Sequence, residues 1–170
     1  MDDMPDMRFI TLSLVRRKAR SLMRRTLFEQ LWFVPLWLLM GIGRLLILTI
    51  HFRRLAPHLG RPMGSASWVP LIDAQDEARA HLISRLVLMV ARYTPWNSNC
   101  FVQAVAARVL LGLYGIPYCL FFGVARDGGG MQAHAWVVAG RIRVCGGESF
   151  GEFAVVGCFA APRLVSSASD

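Results

Sequence analysis

The sequence predicts an α+β domain preceded by hydrophobic helices. Three observations carry that expectation. Residues 73–95 and 100–113 place apolar side chains at helical spacing. Residues 117–160 instead break into short segments rich in aromatic and β-branched residues. Upstream, residues 27–56 are apolar with no strand-like alternation.

A chain of 170 residues suits one domain with a small appendage. We divide it at a linker into a basic, hydrophobic helical region, residues 1–60, and a second domain, residues 61–165. A hydrophobic fraction of 55% and a mean hydropathy of +0.43 leave apolar surface for a partner or a bilayer. The net charge of +8 is uneven: residues 1–61 hold eleven Lys/Arg against four Asp/Glu. Nucleic acid is disfavoured as the target of that basicity, because no reader motif accompanies it.

Residues 7–25, "MRFITLSLVRRKARSLMRR", read as a basic amphipathic helix with Arg16, Arg17, Lys18, Arg20, Arg24 and Arg25 crowded together. The apolar run that follows, Leu31 to Gly43, is 13 residues long and contains Pro35, and Arg44 ends it. A spanning helix needs about 20 apolar residues, so a buried or membrane-surface helical hairpin is favoured over a single-pass span. "PHLGRPMGSASWVP", 57–70, reads as a linker.

"DAQDEARAHLISRLVLMVARYTP" makes an amphipathic helix that Pro95 stops. Cys100 opens the next helix, which runs to about Leu113, with Gly115 as its C-terminal cap. "PYCLFFGVA", 117–125, reads as a strand and "RDGGG" as a loop. "AHAWVVA" and "RIRVC" pair as a hairpin around Ala139-Gly140, and "FAVVGCFA", 153–160, is a last strand.

The chemistry concentrates at Cys100 and His134. A thiol attacks a carbonyl carbon as thiolate, and the unpaired N–H groups of a helix N-terminus favour that charge. A nearby neutral imidazole takes the proton and later returns it to the leaving group. Asn97, Ser98 and Asn99 are residue types suited to the N-cap, and Asn97 is also a donor for an oxyanion. His134 begins a strand in apolar surroundings that favour its neutral form. Trp136, two residues on, shares its face and either shields the imidazole or simply packs. Cys119, Cys145 and Cys158 lie in strand patterns and read as core. The cysteines are widely spaced without a CxxC pair, which speaks against a metal site or a disulfide framework. No cofactor is expected. The acidic start "MDDMPDMRF" does not resemble a signal peptide, so a reducing cytoplasmic setting, with peripheral membrane contact through the helices, is expected.

"NCFVQAVAARVLLGLYGIPYCLFFGVARDGGGMQAHAWVVAGR" resembles the core of the lasso-peptide biosynthesis B proteins, leader peptidases of the transglutaminase-like, papain-related cysteine fold. "FRRLAPHLG", 52–60, resembles the family's stretch ahead of the catalytic domain, and the similarity covers roughly residues 27–160. The resemblance implies Cys100 as nucleophile and His134 as base. It implies cleavage of one bond in a ribosomally made precursor, exposing the amine that a partner asparagine synthetase-like, ATP-dependent cyclase joins to an Asp or Glu side chain. It further implies a separate leader-recognition protein, since residues 1–60 leave no room for a β-rich recognition domain. The family's Asp on the strand after the His strand is missing: "RIRVCGGESF" has Cys145 and Gly146 in that neighbourhood. Glu148 is the nearest carboxylate and is nominated as third catalytic member. Asp127 is second, and a main-chain carbonyl or no charged group stays open. Two other readings remain: transglutaminase-type acyl transfer through the same thioester, and a membrane-associated scaffold without chemistry.

Overall fold

The computed structural model describes residues 26–49, 54, 60–65, 69–96, 98–127, 130–147 and 149–161. The basic stretch 7–25, Asn97 and Glu148 lie outside the described residues. Contacts divide the chain into two compact units, Met1–Pro35 and Leu36–Asp170.

The described part of the first unit begins helix α1, Leu27–Thr49. Thr26 and Glu29 form a reciprocal cap. The Thr26 N–H donates to Glu29 Oε2 at 3.2 Å, and the Glu29 N–H donates to Thr26 Oγ1 at 3.3 Å. The sequence suggested interruptions at Pro35 and Arg44, yet the helix continues through both. Pro35 removes only the N–H that would reach the Leu31 carbonyl and is exposed, while Arg44 is half-buried.

In the second unit, the remainder of α1 buries Leu36 and Met40, 1% and 0% exposed. Trp37 Nε1 donates to the Tyr93 carbonyl at 3.3 Å, and its ring lies 4.7 Å from Trp96. A Cβ at Gly41 would meet the Trp96 ring at 3.0 Å, so the small residue lets the helix sit close to the loop ahead of Cys100. Helix α2, Ala74–Ala91, is capped by Asp73, which accepts from the Asp76 N–H at 2.8 Å. Helix α3, Cys100–Leu113, ends where Gly115 takes φ +65° and the Ile116 N–H returns to the Leu111 carbonyl at 2.9 Å.

The strands are β1 (Arg61–Pro62), β2 (Tyr118–Asp127), β3 (Gly130–Ala139), β4 (Ile142–Cys145) and β5 (Ala154–Ala161). They form one antiparallel sheet in the order β1-β5-β2-β3-β4. The meander β2-β3-β4 is local, whereas β5 returns past a short 3₁₀ turn, Ser149–Glu152, to the other side of β2. β1 lies inside the stretch read as linker: two residues pair with Phe159 and Ala160, too few to leave a sequence pattern. β2 and β3 stay paired as far as Asp127 and Gly130, so the strands extend into the segment read as loop.

Alternation divides the sheet into two faces. Phe122 pairs with Ala135, and its ring lies 5.6 Å from Phe101 on α3. The opposite face carries a second cluster of Cys119, Phe121, Trp136, Cys158 and Ala160, with Phe153 packed against it. Cys119, Cys145 and Cys158 are buried, as their strand patterns suggested.

Candidate active site

Cys100 is the first residue of α3 and is half-buried. Asn99 precedes it in extended conformation, and its Oδ1 accepts from the Val102 N–H at 3.3 Å. Gln103 Nε2 donates to the Ser98 carbonyl at 2.8 Å. The Ser98 and Thr94 hydroxyls lie 2.7 Å apart, and Thr94 also donates to the Ala91 and Trp96 carbonyls. The loop that delivers Cys100 is therefore tied to the helices on both sides. The thiol stands at the positive end of the helix dipole.

His134 lies on β3 directly opposite Gly123. Its imidazole stacks on Phe153 at 4.9 Å and on Trp136 at 5.9 Å between ring centroids. Gly123 makes room for this arrangement: a Cβ there would sit 2.7 Å from Phe153 Cβ and 2.9 Å from the Trp136 ring. His134 Nε2 is 2.6 Å from the main-chain oxygen of Gly146. A carbonyl only accepts, so Nε2 carries the proton. Neutral imidazole then has its lone pair on Nδ1. The chain reaches this oxygen through Gly146 at φ +103°, where a Cβ would press on Trp136 and lie 3.0 Å from the Ala135 carbonyl. Trp136 therefore does more than fill space: it packs on both the imidazole and the residue that holds it.

Cys100 and His134 both line a cavity of about 440 Å³. Asn99 is its main polar neighbour, while Ile47, Phe101, Phe122 and Val156 make its wall apolar. No hydrogen bond joins the thiol to the imidazole among the described residues. His134 shares a face with Trp136 and Phe121, whereas Phe122 and Ala135 face the α3 side. β4 pairs with β3 only over Val137–Ala139, so His134 lies beyond the end of that ladder.

Cys145 and Cys119 are held neutral. Burial pushes Cys145 up to about 12, opposed by the Val137 N–H and reinforced by the nearby Cys100. Cys119 is also raised, first by its hydrogen bond with Cys158 and then by burial. Asp127 ends β2, paired with Gly130, and its side chain lies outside the described residues. No group of three His, Cys, Asp or Glu side chains suited to a metal occurs among the described residues. Two contributors escaped the sequence reading: Asn99, noted only as a capping residue, and Ile47, which arrives from a distant helix. A main-chain carbonyl was left open as the partner of His134, and the Gly146 oxygen lies beside it.

One family model, that of the transglutaminase-like superfamily, matches residues 44–157. The chain belongs to the transglutaminase-like superfamily. The matched region starts in α1 and ends in β5, and so contains both Cys100 and His134. Members of the transglutaminase-like superfamily are typically cysteine peptidases or acyltransferases, and the α+β architecture is compatible with either. No curated protein and no solved structure matches the chain significantly.

Proposed function

We propose that this transglutaminase-like protein is a cysteine peptidase that removes the leader from a lasso-peptide precursor. The observation that carries the reading is the pairing of His134 Nε2 with the Gly146 carbonyl on the cavity that also holds Cys100. It leaves Nδ1 as the basic nitrogen in the neutral imidazole, which is what a thiol-activating base requires.

The reaction follows from these groups. Nδ1 takes the Cys100 proton, and the thiolate attacks the carbonyl carbon of the scissile bond. The Cys100 N–H, at the first helical position, faces the oxyanion. Asn99 Nδ2 is a second donor, because its Oδ1 is already committed to Val102. His134 returns the proton to the departing amine. Water, activated by the same nitrogen, then hydrolyses the thioester and releases the leader acid. The Gly146 carbonyl keeps the ring oriented and stabilises the imidazolium, the role the family usually gives to a carboxylate.

The precursor's new amine would pass to the partner cyclase, with a leader-recognition protein presenting the substrate. The cytoplasm is the compartment this reading requires. The test is mass spectrometry of a lasso precursor incubated with its recognition protein and this chain. Wild type should yield separate leader and core, and Cys100→Ala and His134→Ala should leave the precursor intact. Cleavage by Cys100→Ala would sink the peptidase reading, and a leader found joined to an added amine would assign acyl transfer instead.

A further inference from the structure

We propose that the exposed face of α1 is a docking surface for an anionic lipid bilayer, on which the protein lies peripherally. The helix is apolar on both sides. Within the second unit, Leu36 and Met40 are buried in the core while Leu38, Ile42, Leu45 and Leu48 are 51%, 54%, 60% and 67% exposed. At 3.6 residues per turn these four fall within about 60° of a common direction, opposite Met40. In the first unit, Val34, Leu31 and Leu27 are exposed as well. A ribbon of aliphatic side chains along one helix face is far more than the scattered apolar residues of an ordinary surface.

The charge of the flanking sequence identifies its occupant. The described structure starts at Thr26, and the 25 residues ahead of it carry seven Lys/Arg, ending in Arg24-Arg25. Arg53 and Arg54 follow the helix at its other end. An apolar helix face in a chain whose flanking sequence is this basic fits the acyl boundary and phosphate layer of an anionic membrane, where each basic residue near the surface adds attraction. A protein partner would need matching acidic patches at both ends of its own apolar groove. The helix has the length and hydropathy of a span, with a mean of 2.0 over its best window. A span is nevertheless excluded by packing, because Leu36, Met40 and the Trp37–Trp96 pair hold the other face in the domain core. The helix therefore lies in the membrane plane.

The test is co-sedimentation of the full chain with phosphatidylcholine vesicles, with and without phosphatidylglycerol, at low and high salt. Wild type should bind the anionic vesicles and weaken as salt rises. L38Q/I42Q/L45Q should lower partitioning at least about tenfold, with an unchanged circular dichroism spectrum. R16Q/R17Q/K18Q/R20Q should remove the preference for phosphatidylglycerol. Equal binding by either variant, or no binding by wild type, overturns the proposal. A dimer in solution that L38Q/I42Q/L45Q abolishes, without vesicle binding, overturns it too and assigns the face to a second copy.

Discussion

His134 donates from Nε2 to the main-chain oxygen of Gly146 at 2.6 Å, a bond to the backbone where a catalytic carboxylate would be expected. A carbonyl fixes the tautomer as well as a carboxylate does, but contributes only a partial charge to the imidazolium. A thiolate–imidazolium pair tolerates this, since the thiol ionises far more readily than a serine hydroxyl.

The first prediction separates carbonyl from carboxylate. Glu148→Gln should keep precursor cleavage within about tenfold of wild type. A loss of about ten-thousand-fold, the size expected when a triad acid is neutralised, would return the orienting role to Glu148.

Gly146→Ala should damage both fold and activity. The position has φ +103°, and a new Cβ would press on Trp136. Strain and overpacking together predict a loss of roughly 2–4 kcal/mol in urea unfolding. Gly147→Ala is the control: φ is +69° but nothing lies within 4 Å of the added carbon. It should cost about 1 kcal/mol and leave cleavage near wild type.

Gly123→Ala tests the aromatic setting of the imidazole. The methyl would collide with Phe153 Cβ and the Trp136 ring, the two groups stacked on His134. Overpacking of this kind costs about 1–3 kcal/mol, and displacement of the imidazole should lower kcat more than it raises KM.

The thiols should differ in reactivity. Under brief iodoacetamide treatment of the native protein at neutral to mildly alkaline pH, peptide mapping should find Cys100 modified ahead of the three buried cysteines. Cys145 also makes a pH prediction. It ionises near 9.0 when unfolded but holds its proton to about 12 when folded, chiefly through burial. The folded state then binds more protons between those values. Stability should fall as pH rises above 9, by up to about 1.4 kcal/mol per pH unit for this thiol. Cys145→Ala should flatten that slope, measured by urea unfolding at several alkaline pH values.

The sequence disclosed what local chemistry determines. A polar run before an alanine-rich helix marks Cys100 as a helix start, and apolar alternation marks the strand of His134. What it concealed depends on contacts distant in sequence or on main-chain atoms. The two-residue β1 exists only because β5 lies beside it, and Ile47 reaches the cavity only because α1 continues past Arg44. The Gly146 oxygen becomes an acceptor only because β4 stops and the chain turns at positive φ. The doublet Gly146-Gly147 was the one visible hint of that turn.

The central claim is that Cys100 is a nucleophile, and intact-mass analysis of acid-quenched reactions tests it most directly. Mixed with precursor and recognition protein, wild type should gain the mass of the acyl leader, mapped to Cys100 and removed by hydroxylamine. Cys100→Ala should show neither adduct nor cleavage. Cleavage by Cys100→Ala, or an adduct mapped to another residue, would contradict the account.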